Sequence, residues 1–211
     1  MKLTIAQLQH VLDTYDNGVL SHGSHAPEDG AYCALEAVSL ARNNGRDNFT
    51  DDPQTLGMPD LRRLNDARWS SDEVRTKALL PLISALSDWS SWSKARQQRW
   101  ATLVAVRTVN RVVANLPRVS KELQNLCQKA ATLVEAKEAA YKVRDAAAAS
   151  AAYAAYAAFY AAKAAFYAAK AASEAAKAAS YASEAAAALS DSVLLTAVDI
   201  WLSAVSESEK K

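Results

Sequence analysis

The chain has 211 residues, 51% of them hydrophobic and 22% charged, with a formal net charge of +1. Five glycines and five prolines are too few for a collagenous, disordered or loop-rich β protein, and the near-neutral balance excludes a highly charged tail protein. Alanine accounts for 47 of the hydrophobic residues, and 29 of these fall between Ala139 and Ala188.

The small net charge conceals three zones of alternating sign. Residues 1–93 carry 8 basic and 13 acidic groups, residues 94–144 carry 11 and 3, and residues 145–211 carry 5 and 7. Every glycine lies at or before Gly57, and the last proline is Pro117. These shifts divide the chain into an N-terminal helical module (1–93), a basic amphipathic helix (94–117) and a long alanine-rich helix with an apolar C-terminal segment (118–211). Cys33 and Cys127 stand 94 positions apart and form no compact disulfide framework, which points to a reducing, cytoplasmic setting. Gln7, Gln9 and His10 interrupt any signal-peptide core at the start of the chain. Lys163, Lys170 and Lys177 recur within the alanine tract, so no membrane span is expected there.

In chain order, Thr4 is placed to cap a helix running to about Tyr15, and Asp29 to cap another in which Cys33, Ala37, Leu40 and Ala41 share a face. Asp47 to Gly57 is a loop with room for at most a short strand pairing. Pro59 suits the first turn of a helix through Trp69. Ser70 with Glu73 forms a capping-box pattern for the next helix, whose apolar positions are Val74, Leu79, Leu82, Ile83 and Leu86, and Pro81 predicts a kink or break within it. Ser93 to Asn115 is a basic amphipathic helix ending at Leu116-Pro117. No strand-length alternation occurs elsewhere, so the fold class is all-α.

From Ala152 the chain reads AYAAYAA, FYAAKAA, FYAAKAA, SEAAKAA and SYASEAA, five consecutive seven-residue units. Alanine holds the third, fourth, sixth and seventh places almost throughout, a broad face opposite a stripe of the first, second and fifth. The register extends backward through Leu133, Ala130, Leu126, Leu123 and Val119, and forward to Leu189 and Val193. Sustained heptads predict packing in a bundle or coiled coil. A continuous helix from Arg118 to Leu189 would be about 108 Å long at 1.5 Å per residue, which implies projection, self-association or a bend. Tyr153, Tyr156, Tyr160, Lys163, Tyr167 and Lys170 form the candidate interaction stripe; whether the alanines or the aromatics face the interior is open.

Two further clusters carry chemistry. His22, His25, Cys33 and Glu36 could hold zinc through His-x2-His and Cys-x2-Glu, or Cys33 could act as a nucleophile with a loop histidine as base, its thiol acidified by a helix start. Arg96, Arg99, Arg107, Arg111 and Arg118 crowd near Trp100 as a nucleic-acid contact, or as a surface paired with the acidic first zone or an acidic partner.

His22, Gly30, Cys33 with Leu35-Glu36-Ala37-Val38, Asp52-Pro53, Leu64-Asn65-Asp66, Arg75-Thr76 and Leu79-Leu80-Pro81-Leu82-Ile83 together resemble a helical module of uncharacterised phage and actinobacterial proteins, some of them followed by alanine-rich tracts. The resemblance covers residues 22–86 and implies a phage or mobile-element origin, with no known activity attached. The expected function is that of a non-enzymatic interaction or assembly protein, acting by self-association or on a protein partner, without a required cofactor. The alternatives are a metal- or ligand-binding module, with a hydrolase among its forms, centred on Cys33, Glu36 and His22, and a nucleic-acid binder using residues 94–121.

Overall fold

A computed structural model describes residues 2–15, 17–26, 28–43, 49–115, 119–147 and 191–210. The described residues are helical and contain no strand: α1 (Ile5–Tyr15), α2 (Ala34–Asn43), α3 (Pro53–Leu56), α4 (Arg62–Asn65), α5 (Asp72–Leu86), α6 (Lys94–Arg111), α7 (Lys121–Lys129), α8 (Leu133–Ala147) and α9 (Asp191–Ser208), with 3-10 turns at Trp89–Ser91 and Val113–Asn115. The all-α class follows directly.

Local chemistry accounts for most of the boundaries. Thr4 and Gln7 form a reciprocal capping box on α1: Gln7 N donates to Thr4 Oγ1 at 3.2 Å and Thr4 N to Gln7 Oε1 at 2.9 Å. Within the expected loop, which had room for at most a short strand pairing, Pro53–Leu56 form α3, because the Asp52 carboxylate accepts from Thr55 N at 2.8 Å and Pro53 fits the first helical position. Gly57 ends that turn at φ 57°, with a Cβ there only 2.9 Å from Ser90 Cβ. Pro59 lies outside any helix, and the element expected from it to Trp69 shrinks to α4. Ser71, rather than Ser70, caps α5 by accepting from Val74 N at 3.3 Å. α5 runs through Pro81 as one helix. The carbonyl left without a donor there is that of exposed Lys77, and Leu79, Leu80, Leu82 and Ile83 around it are buried. Their burial, at about 1.5–3 kcal/mol each, outweighs a penalty of about 3 kcal/mol for an interior proline.

α6 is the axis of the molecule. Its first part joins a core built from Leu8 and Leu12 of α1, Leu35 and Val38 of α2, Leu79, Leu82 and Ile83 of α5, and Leu194, Ile200 and Trp201 of α9. Tryptophans bind this core together, Trp100 standing edge-on to Trp89 at 4.9 Å and to Trp201 at 5.2 Å. α9 therefore shares one core with α1–α6, drawing on residues from both sides of the boundaries expected at 93 and 117. A second core joins Val109, Val113 and Ala114 to Cys127 and Ala130 and to Ala136, Ala139, Ala140 and Val143 of α8.

The continuous helix expected from Arg118 is broken between α7 and α8. Asn110 Nδ2 donates to the carbonyls of Cys127 at 2.6 Å and Ala130 at 2.9 Å, closing α7. Thr132 and Glu135 then restart the chain as a capping box, with Glu135 N donating to Thr132 Oγ1 at 3.3 Å and the Glu135 carboxylate accepting from Ala131 N at 2.8 Å and Thr132 N at 3.1 Å. Of the expected seam, Leu126 is 38% exposed, whereas Ala130 is buried, Val119 and Leu123 pack against the second core and Leu133 against the first; α8 buries Ala136, Ala139, Ala140 and Val143. On this helix Ala136, Ala139 and Ala140 face inward, while Ala146 is exposed.

Candidate functional site

In the connection from α1 to α2, residues 20–26 and 28–32 are irregular backbone and need partners for their polar groups. Buried side chains from three helices supply them. Thr76 Oγ1 accepts from Leu20 N at 2.7 Å, and Arg75 Nη1 donates to Leu20 O at 3.0 Å. Asn65 Nδ2 donates to Ser21 O at 2.8 Å while its Oδ1 accepts from Ala34 N at 3.2 Å. Asp66 accepts from Gly23 N at 2.9 Å. Arg75 Nε donates to Asn65 O at 2.8 Å, which locks α5 to α4, and its guanidinium also pairs with Asp72. Glu36, Asn65, Arg75 and Thr76 are buried, and with Asp66 they are the polar residues of the 22–86 pattern that converge on this loop.

Glu36 is the centre of the arrangement, fully buried on α2. Its Oε2 accepts from Cys33 N at 2.6 Å and faces His25 Nδ1 at 2.9 Å; its Oε1 accepts from His25 N at 2.7 Å and from Ser24 Oγ at 3.4 Å. The Cys33-x2-Glu36 spacing is thus a helix cap in which the third helical residue reaches back to the residue before the helix. Cys33 and not Asp29 precedes α2; Asp29 instead accepts from Ala26 N at 2.7 Å within the loop.

Of the four expected metal ligands, His25, Glu36 and the Cys33 backbone meet, while His22 stands exposed on the same loop. Among the described residues no three His, Cys, Asp or Glu side chains are grouped to hold a metal ion. The expected acidified thiol is corrected: burial first, then the neighbouring Glu36 carboxylate, push Cys33 far above the ordinary thiol range, so it stays protonated.

The basic face of α6 is engaged by α9, not by the acidic first zone. Arg96 pairs with Glu209 at 2.6 Å, Arg107 with Glu207, and Arg111 with Asp199 at 2.8 Å, while Arg99 Nη2 donates to Ser208 O at 3.0 Å. Arg107 Nη1 also donates to Ser203 Oγ at 3.0 Å, and the Arg96 guanidinium lies 3.6 Å from the Trp92 ring centre. Rising numbers on α6 meet falling numbers on α9, so the two helices run antiparallel. Arg118 and the stripe residues Tyr153, Tyr156, Tyr160, Lys163, Tyr167 and Lys170 lie outside the described residues. No described helix is long and apolar enough to cross a membrane.

The chain matches no protein-family model, no curated protein and no solved structure.

Proposed function

We propose that the protein is a non-enzymatic helical interaction protein that presents residues 148–190 as its contact segment, by self-association or toward a protein partner. The observation that carries this reading is the anchoring of both flanks of that segment on α6: α8 through the second core, α9 through the first core and its ion pairs. Forty-three residues intervene. Even wound as a helix they comprise about 65 Å of chain, against about 27 Å for α6, so the scaffold is short relative to what it carries. The buried seam of α8 lends further support, because its spacing from Ala136, Ala140 and Val143 continues in the sequence through Ala147, Ala154, Ala157, Ala161, Ala164 and Ala168. The nucleic-acid alternative loses support from the engagement of Arg96, Arg99, Arg107 and Arg111 by α9.

Light scattering on the full chain over a concentration series up to tens of micromolar tests self-association. Association is expected, and Ala154→Glu with Ala161→Glu is expected to abolish it while leaving the unfolding midpoint unchanged. A strict monomer across the series removes self-association and leaves the partner-binding form, which capture of a defined partner by wild type but not by a Tyr153, Tyr156, Tyr160 and Tyr167 to Ala variant then has to sustain.

A further inference from the structure

We infer that the clamped loop binds a divalent transition-metal ion, with Nε2 of His25 and the imidazole of His22 as its protein ligands and solvent completing the coordination. The geometry at His25 is the first ground. The Glu36 carboxylate already accepts from two backbone N–H groups and is an acceptor toward every neighbour, so His25 Nδ1 serves as the donor at 2.9 Å. That assignment leaves Nε2 as the nitrogen with a free lone pair; the hydrogen bonds of His25 run through Nδ1 and the backbone N. The side chain is 15% exposed, so the ring meets solvent. A histidine whose second ring nitrogen is fixed by a buried carboxylate has the outer-shell support that metal-ligating histidines use, with the tautomer and ring plane set in advance.

His22 is the second ground. It is exposed, and the backbone on either side of it is pinned from rigid helices, at Gly23 N by Asp66 and at Ser21 O by Asn65. His22 and His25 are three positions apart, which limits their Cα atoms to about 11 Å. That limit is compatible with two imidazoles sharing one ion, for which metal–nitrogen distances of about 2.0–2.1 Å are required. The Cys33 side chain is 2% exposed beneath the loop and takes no part. An all-imidazole, solvent-completed pair suits zinc, nickel, cobalt or copper rather than magnesium or calcium, and with two protein ligands it is an exchangeable site, not a structural one. This inference stands apart from the role of residues 148–190.

Isothermal titration of the full chain with zinc chloride and with nickel chloride tests it, alongside imidazole resonances followed by NMR. One ion per chain is expected, with the His22 and His25 resonances both perturbed and that of the third histidine, His10, unmoved. His22→Asn is expected to weaken binding at least tenfold without moving the unfolding midpoint, and Glu36→Gln to weaken it by about 10–100-fold as the outer-shell support is lost. His10→Asn and Cys33→Ser are expected to leave affinity unchanged. Absence of saturable binding, or binding indifferent to His22→Asn, overturns the assignment. Loss of binding in Cys33→Ser alone also overturns it, in favour of a thiolate site.

Discussion

Replacing Glu36 by glutamine tests whether the buried carboxylate organises the loop. The substitution keeps volume and removes charge. In the native protein the two carboxylate oxygens receive Cys33 N at 2.6 Å, His25 N at 2.7 Å and His25 Nδ1 at 2.9 Å. A glutamine offers only one oxygen, so its NH2 group must face at least one of those donors, and the remaining bonds lose charge assistance. Charge-assisted hydrogen bonds contribute about 1.5–3 kcal/mol each, and an unpaired buried donor costs about 1–3 kcal/mol, which places the destabilisation near 3 kcal/mol. Against a global stability of about 5–15 kcal/mol that is a large fraction. Urea unfolding followed by circular dichroism is expected to show a lower midpoint at unchanged slope, while Glu28→Gln, on an exposed position of the same loop, stays within about 0.5 kcal/mol of wild type. His25→Asn is expected to cost less in the Glu36→Gln background than alone, because the two groups share one bond. A Glu36→Gln variant as stable as wild type, or additive effects at the two positions, would refute the reasoning.

Three other outcomes follow from the same structure. Backbone N–H groups of Ala131 and Thr132 hold the Glu135 carboxyl below its ordinary range, so its contribution is fully present above the unfolded value of about 4.3 and is lost as pH falls through the lower folded value; a side-chain NMR titration midpoint at or above 4.3 contradicts this, and Glu135→Gln should flatten the acid limb of the stability profile. Burial raises the Cys127 thiol to about 11 and Cys33 further, whereas unfolded thiols ionise near 8.5, so stability declines as pH rises past that value and both thiols react with a disulfide reagent only after unfolding; rapid labelling of the native protein at pH 8 would be inconsistent with both burials. Trp201→Ala is expected to cost about 3–5 kcal/mol, and Arg111→Ala, whose ion pair is half exposed on both sides, under about 1 kcal/mol, in chemical unfolding; the reverse order would show that charge and not burial fastens α9.

The sequence made the helices legible where a cap and an apolar period coincide, as at Thr4 with α1 and Ser93 with α6. It was less informative where one residue type serves two purposes. Cys33-x2-Glu36 is a plausible ligand spacing and also a helix cap, and only the burial of Glu36 decides between them. The break before Leu133 coincides with Thr132-x2-Glu135, a capping box that the heptad register runs straight across. The partners of the basic face were hidden for another reason: Arg111 and Asp199 are 88 positions apart, and no periodicity within a segment reveals a pairing between segments. Asn65 and Arg75 were visible as residues of a pattern, but their task of holding a distant loop depends on long-range contacts that local chemistry does not encode.

The three charge zones and the two cores fit one account of α9. Leu194, Val198, Ile200, Trp201 and Val205 are buried, which at about 1.5–3 kcal/mol each sums to roughly 10 kcal/mol as an upper estimate. The accompanying ion pairs involve partners up to 63% exposed and contribute about 0–1 kcal/mol each. Apolar burial therefore secures α9, and the charges set its antiparallel register while neutralising guanidinium groups that the alternating sequence leaves on α6. Because α9 is integral to the first core, the arginines on that face are not uncovered by a cheap local motion, and any acidic partner would compete with the fold itself. The chain between α8 and α9 thus joins two helices held on the same axis, and the longest regular pattern in the sequence falls in that connection.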